Sequence, residues 1–323
     1  MPLPNNTYTR FTAGNNVRED LADFIARMDP ETTPVVSSSG RATATNTLHE
    51  WSRDALRAPN ANNAALDGDD AAGSAKTPPL RVGNICQIFQ DTIIVSGRAE
   101  KVDKAGMKSA MAYNKAKAYK ELQRDVEKMV VSDNAAVIGS GSVAPQSGGL
   151  GVLLYSNAQH GVGGSTVAHT SGAPTTAATP GTARAITETI YKTGIQATYT
   201  AAGKTPKNVY FSPAHKVVAS GFTGIAQIRA NVTGNNQATI IGGADVYVSD
   251  FGSVNHIPHY MMAGSTNVYG LDTSEIKVAY LRSFFSKSLG DTGDNQKQQV
   301  IVDCTLRVEN EKACFKIADL SGG

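Results

Sequence analysis

The sequence predicts an α+β fold in which parts of the chain gain their order by contact with other molecules. A long helical pattern at 102–132 lies between β-prone runs on either side of it. The two runs before it enclose a long polar span, and no Asp, Glu, Lys or Arg occurs between Asp133 and Arg184 after it. Long segments without periodicity are uncommon inside a compact domain, so the first is predicted to be disordered or bound to another molecule, and the second to be mostly loop.

Bulk composition argues against several classes of protein. The chain has 323 residues, with 30 basic and 28 acidic side chains and a formal charge of +2, which is not the basic excess of a dedicated nucleic-acid binder. Three cysteines (Cys86, Cys304 and Cys314) are too few for a disulfide framework and are predicted to be buried thiols in a reducing compartment. No apolar run is long enough to span a membrane, and the start lacks the pattern of a secretion signal.

Residues 1–45 are predicted to form an extended arm that carries one short helix. Asn16 and Glu19 can form a capping box at the start of this helix. An apolar stripe at helical spacing follows, made of Val17, Leu21, Phe24, Ile25 and Met28. A helix this short is marginal alone, so Leu21 and Phe24 are predicted to contact another subunit.

Residues 46–98 contain two β-prone runs, 46–53 and 84–97, separated by the polar span 54–81. A two-stranded ribbon is not stable by itself in water, so neighbouring molecules are expected to order it. Trp51 and Arg53 are candidate subunit contacts. The acidic turn formed by Asp67, Gly68, Asp69 and Asp70 is either a solvated loop tip or a charged contact with a basic patch on a neighbouring subunit.

The pattern at 102–132 predicts a helix about 45 Å long, at 1.5 Å per residue. One face is apolar, with Met111, Ala118, Leu122 and Met129. A roughly opposite face is basic, with Lys117, Lys120, Arg124 and Lys128. Such a face is either a solvated helix side or a surface that neutralises DNA phosphates without reading sequence.

The remainder of the chain is predicted to be a loop followed by an α/β portion and a final hairpin. Residues 133–184 are predicted to be mostly loop, with mobility at 161–182. The predicted elements of the α/β portion are a helix at 183–199, a strand at 208–211, a helix opened by Ser212 and Pro213 and closed by Gly221, and strands at 244–249 and 256–262. Alternation at 300–308 and again at 313–317 predicts a β-hairpin packed on the long helix.

Motifs that carry chemistry are weak in this sequence. The glycine clusters at 139–141 and 148–151 lack the Gly-Lys-Ser/Thr ending of a phosphate loop. His256 and His259 are three apart, but Pro258 spoils the helical geometry and no ligand partner is near in sequence. No nucleophile motif occurs, although a triad assembled in space is not visible in sequence. No catalytic residue, cofactor or metal site is predicted.

Several short sequence motifs, in order along nearly the whole chain, resemble those of one family of bacteriophage major head proteins. They are REDL at 18–21, NTLHEW at 46–51, RVGN at 81–84, VSG at 95–97, VDKAG at 102–106, DFG at 250–252, TGD at 292–294 and TLRVENEKA at 305–313. The order of parts is similar to the Hong Kong 97-type capsid fold of that family. One such motif would be weak, and the ordered series is specific.

The resemblance implies a subunit that forms the hexamers and pentamers of an icosahedral phage head around double-stranded DNA. It implies five parts: an N-terminal arm (1–45), an extended β-ribbon loop (46–98), a peripheral domain with a spine helix and a flexible Gly-rich loop (99–182), an axial domain (183–267) and a return to the peripheral domain (268–323). Expected partners are copies of the chain, a portal protein, separate scaffolding and decoration proteins, and packaged DNA. The expected location is the virion, after assembly in the host cytoplasm.

Two departures from some relatives are visible. The arm starts within about 17 residues of the start of the chain, so a separate scaffolding protein, or none, is expected. Lys76 is the only lysine from Asn46 to Gly97, so covalent cross-linking of subunits is not expected. Two other interpretations stay open: another virion structural protein, such as a decoration or tail-tube subunit, and a soluble enzyme with a polar site at 183–262.

Overall fold

The computed structural model describes residues 25, 28–68, 70, 73, 75–222 and 245–323. Most of the predicted first helix, including Leu21 and Phe24, lies outside the described residues, and so does Asp69. The helices are α1 (Pro34–Ser38), α2 (Gly97–Lys101), α3 (Ala110–Val130), α4 (Leu150–Leu153), α5 (Glu188–Ala202) and α6 (Pro213–Ala219). The strands are β1 (Gly40–Thr43), β2 (Leu48–Arg53), β3 (Leu80–Ile85), β4 (Gln87–Ser96), β5 (Ala158–Gln159), β6 (Asn208–Phe211), β7 (Val246–Ser249), β8 (Gly252–Pro258), β9 (Val268–Leu271), β10 (Ile276–Leu289), β11 (Asn295–Val308) and β12 (Phe315–Ile317).

The long helix α3 is shorter than the predicted 102–132. It has 21 residues, which is about 31 Å at 1.5 Å per residue. Ser109 caps its start by accepting a hydrogen bond from the backbone N–H of Ala112, and Gly106 before it has a left-handed φ of +76° that ends any helix there. The predicted apolar face is confirmed, because Met111, Ala118, Leu122 and Met129 are all buried.

A four-stranded sheet in the order β1-β10-β11-β4 packs on α3. β11 is antiparallel to both β10 and β4, and β1 is parallel to β10. The predicted alternation in β11 is confirmed, since its inward side chains are fully buried: Val300, Val302, Cys304, Leu306 and Val308. All three cysteines are free and buried, as predicted.

The predicted C-terminal hairpin is wrong, because β12 does not pair with β11. β12 lies in a second, six-stranded sheet in the order β5-β12-β9-β6-β8-β7, antiparallel to β9 and parallel to β5. A 3-10 turn at Glu311–Ala313 carries the chain from one sheet to the other. Phe315 then fills the second core against Gly270, where a Cβ would lie 2.1 Å from its ring. Alternation identifies a strand and not its partner.

β2 and β3 form a separate two-stranded sheet, with Arg53 paired to Leu80 at its open end. The β-prone run at 84–97 is therefore divided. Its first two residues end β3, and the rest forms β4, which pairs with β11 and not with β2. The described part of the connection from 54 to 79 contains no helix or strand, as the polar composition predicted.

The α/β portion holds α5 and α6 against the six-stranded sheet around a second core. Its predicted elements are confirmed with shifted ends: α5 starts at Glu188 after the capping side chain of Thr187, and α6 starts after the capping side chain of Ser212. The last predicted strand covers Gly252–Pro258 and is followed by a 3-10 turn at Tyr260–Met262.

The glycine-rich loop at 161–182 is joined to itself and to other segments by backbone hydrogen bonds, and its mobility stays a prediction. Ser165 and Thr179 exchange backbone hydrogen bonds of 3.0 and 2.8 Å. Pro174 accepts one from Ala136 N–H at 2.8 Å, and Gly172 accepts one from Gly83 N–H at 2.6 Å. Glycine supplies close backbone approach here as well as freedom, since a Cβ on Gly161 would lie 2.0 Å from a carbonyl oxygen.

Candidate contact surfaces

The base of the β2–β3 hairpin is fixed within its own chain. Trp51 is only 6% exposed, and the Arg53 guanidinium lies 5.7 Å from the centre of its ring. Arg53 also donates a hydrogen bond of 2.8 Å from Nη2 to the carbonyl oxygen of Val308 at the end of β11. These are intrachain contacts that set the direction of the hairpin. The assignment of Trp51 and Arg53 to a subunit interface stays a prediction.

The connection beyond the hairpin projects apolar side chains into water. Leu56 is 97% exposed and Leu66 is 79% exposed. Asp67 is exposed beside Gly68, whose φ is +80° and which has no atom within 4 Å of a Cβ position. The two leucines were not predicted as contact residues, although two isolated Leu in a polar span are a visible signal in the sequence. Whether Asp67 and Asp70 meet a basic patch on a neighbour stays a prediction.

The basic face of α3 is largely engaged with the rest of the chain. Lys117 lies 3.5 Å from Glu121 one turn on, and Lys120 pairs with Glu31 of the N-terminal segment. Lys128 donates a hydrogen bond of 2.8 Å to the carbonyl oxygen of Met261. The structure therefore spreads the positive charge over several partners, and a role in binding DNA stays a prediction for this face, which also includes Arg124.

A buried carboxylate joins three distant segments and was not anticipated from the sequence. Glu127 of α3 is fully buried and accepts hydrogen bonds from the backbone N–H groups of Val35 (2.7 Å) and Val36 (2.8 Å) at the start of α1. Its Oε1 also lies 2.7 Å from Nε2 of the buried His259. Glu127 thus holds the N-terminal segment against both the long helix and the chain after β8. A Glu within a helical pattern gives no sequence signal for such a contact.

The two histidines considered as metal ligands have core partners. His256 Nε2 lies 2.8 Å from the hydroxyl of Tyr191, and burial lowers the pKa of His256 to about 4. His259 contacts Glu127 as described. Among the described residues, no group of three or more His, Cys, Asp or Glu could hold a metal ion.

The two grooves beside α3 are open to solvent. Their volumes are about 600 Å³ and about 480 Å³. The first is lined mainly by polar atoms of α1, β1 and β10, and the second by charged side chains of α3 with Tyr260 and Met261. Within the described ranges, no helix is both long and apolar enough to cross a membrane.

The profile of a protein family described as SU10 major capsid protein matches residues 3–321. This chain belongs to that family. A curated major capsid protein of Escherichia phage Phieco32 is 31% identical over 121 residues of this SU10-family chain. The match covers 38% of this chain and only 34% of the relative. The resemblance to phage major head proteins is confirmed, and a family of structural proteins favours a role without catalysis.

Solved structures share the fold of this SU10-family chain over almost its whole length. The capsid of a native GTA particle is 10% identical, with a TM-score of 0.62 and coverage of 98% of this chain and 100% of that chain. The capsid of cyanophage A-1(L) is 13% identical, with a TM-score of 0.58 and coverage of 98% and 100%. A chain from Gordonia phage Cozz is 11% identical, with a TM-score of 0.58 and coverage of 100% and 98%. The predicted Hong Kong 97-type fold is therefore confirmed.

Proposed function

We propose that this chain is the principal shell subunit of a tailed-phage head, where it assembles into hexamers and pentamers of an icosahedral shell around double-stranded DNA. The family match supports a capsid role. The observation that carries assembly is the connection at 54–79, which has no secondary structure in its described part and exposes Leu56 almost completely. Burying such side chains against another copy gives each contact about 1.5–3 kcal/mol, and many weak contacts close a strong shell.

Three of the five parts of the expected capsid layout are assigned as part of this proposal. The four-stranded sheet with α3 would be the peripheral domain, and the six-stranded sheet with α5 and α6 would hold the axial domain. The β2–β3 hairpin with its connection would be the extended loop. A portal protein, separate scaffolding and decoration proteins, and packaged DNA are the proposed partners. The shell would form in the host cytoplasm and need no catalytic residue.

Expression of the full chain, alone and with a scaffold protein of the same phage, tests this function. Sedimentation and electron microscopy should show large closed particles in at least one of the two conditions. A chain that stays monomeric in both, and that turns over a substrate, would contradict the proposal. Copy number separates the alternative of a decoration or tail-tube subunit, because a principal shell protein should dominate the protein content of purified heads.

A further inference from the structure

The segment 134–183, here called the uncharged segment, contains no Asp, Glu, Lys or Arg. Charged residues make up 18% of the chain, so 50 residues at that frequency would carry about nine. Solvent-exposed surfaces of soluble proteins normally mix both signs of charge. Most of the side chains at 138–146 and 161–182 are nevertheless exposed or half-buried. The segment itself thus presents exposed, uncharged side chains and is not simply buried.

Two loops of the uncharged segment carry exposed apolar side chains. The first is closed by backbone hydrogen bonds between Val137 and Gln146 of 3.0 and 3.1 Å and exposes Ile138 to 67%. The second turns at Gly163, with a φ of +82°, and exposes Val162 to 86%. A hydrogen bond of 2.8 Å from Ala136 N–H to the carbonyl oxygen of Pro174 ties the segments that lead to the two loops together.

A buried polar network fixes the second loop from beneath. Asp319, itself in a left-handed conformation with φ of 58°, accepts hydrogen bonds of 3.0 Å from Gly161 N–H and from His160 Nδ1. His160 Nε2 lies 2.7 Å from the hydroxyl of Thr166, which also accepts a bond of 2.7 Å from the buried ammonium of Lys316. A positive φ and a buried ammonium both cost free energy. The hydrogen bonds of this network fix the backbone next to Val162, and a fixed backbone suits a contact point.

The chemistry of this surface selects its partner. Packaged DNA would require cations to neutralise phosphates, and the uncharged segment has none. A different acidic or basic protein would favour complementary charge. Around a symmetry axis, by contrast, a residue lies close to its own copies, so any charge meets the same charge and is repelled. A neutral surface with fixed apolar points avoids this repulsion.

We propose that the uncharged segment is a self-contact, in which the loops at 137–146 and 161–182 meet the same loops of other copies of this chain. The inference rests on the proposed shell function and names one of its interfaces. Burial of the apolar side chains of Val162 and Ile138 stabilises the contact, and the contact requires that the residues around them carry no charge.

Paired substitutions test the contact. Val162→Lys and Val162→Glu should each lower the yield of assembled particles by about tenfold or more, because like charges would meet at the contact. Val162→Ile keeps a branched apolar side chain and the neutrality, and should assemble within about twofold of wild type. A mixture of the Lys and Glu variants should recover most of the yield, because opposite charges then meet. The melting temperature of unassembled subunits should match wild type in all variants, since the side chain is exposed.

Each alternative outcome overturns the inference. Normal assembly of both charged variants would show that Val162 contacts nothing. Loss of assembly in both without recovery in the mixture would mean that the segment faces a different surface. Ile138→Lys and Ile138→Glu repeat the test in the other loop. Their assembly yields decide between the outcomes if a Val162 variant has a lower melting temperature than wild type. Absence of particles with the wild-type chain would instead defeat the shell function itself.

Discussion

Glu127 shows how much of the subunit depends on one side chain. Its carboxylate accepts bonds from Val35 N–H and Val36 N–H and contacts His259, and Glu127, Val35 and His259 are fully buried. Glu127→Ala leaves these donors unpaired, and should lower the free energy of unfolding by about 3–5 kcal/mol. Denaturant unfolding of the unassembled subunit measures this. Glu121→Ala, which removes an exposed carboxylate from the same helix, is the matched control and should have little effect.

Because Lys316 is buried, we expect the stability of the subunit to depend on pH in the alkaline range. Burial lowers its pKa from 10.5 to about 8. Below pH 8 both the folded and the unfolded chain hold the proton. Between pH 8 and 10.5 only the unfolded chain does, so stability rises with pH by up to about 3 kcal/mol. The comparison is with Lys316→Met, which removes the titrating group.

The difference in unfolding free energy between wild type and Lys316→Met should move in favour of wild type from pH 8 to pH 10. Other groups titrate equally in both chains and cancel from this difference. A difference that stays constant over that range would show that the ammonium is solvated in the folded chain. The alternation that predicted Phe315 and Ile317 as inward residues places Lys316 on the opposite face of β12, and only the fold shows that this face is also covered.

At the scale of elements, local pattern identified the three longest helices and most of the strands, missed the long strand β10, and identified few pairing partners. The apolar side of α3 and the alternation of β11 follow directly from period, and both are as predicted. The partner of β12 did not follow, because pairing depends on contacts between residues far apart in sequence. The start of α3 was missed since Gly106 inside an otherwise helical pattern does not reveal its left-handed φ.

The β2–β3 hairpin permits a clean test of its connection. Arg53 and Leu80 are paired, so residues 54–79 can be replaced by Asn-Gly, which closes a two-residue turn. The shortened subunit should keep its melting temperature within a few degrees, because the removed residues form no core. Particle assembly should be lost.

The finer variant Leu56→Ser with Leu66→Ser keeps the length of the connection and removes only its exposed apolar side chains. It should reduce assembly without changing the stability of the subunit. Intact particles from the shortened chain would exclude the connection from the mechanism of assembly.

At the scale of the whole molecule, charged side chains are unevenly distributed: the uncharged segment has none, and one face of α3 is rich in cations. If the face that includes Lys117 and Arg124 points to DNA, Lys117→Glu with Arg124→Glu should leave empty shells intact and weaken retention of DNA about tenfold at moderate salt. The ratio of filled to empty heads after a salt wash measures it. Lys192→Glu with Lys204→Glu is the control, because it makes the same change in formal charge, and Lys192 has the same 56% exposure as Lys117 and a similar carboxylate partner one turn away.

Equal loss of DNA in the control would mean that only overall charge matters. Equal retention in both would assign the face of α3 to solvent. Lys120 is left unchanged in this design because it pairs with Glu31, so its reversal would also disturb the N-terminal segment.

The parallel pairing of β1 with β10 means that β1 is synthesised long before the strand with which it pairs. Gly40 pairs with Lys277, so 277 − 40 = 237 residues separate partners that lie side by side. At roughly 5–20 residues per second, the ribosome needs on the order of 10–50 s to supply the second strand after the first. Throughout that interval β1 has an unsatisfied edge. Its sequence, Gly-Arg-Ala-Thr, contains a cation and no large apolar side chain. Because charge on an exposed strand edge opposes pairing with other chains, this sequence disfavours aggregation of the unpaired segment.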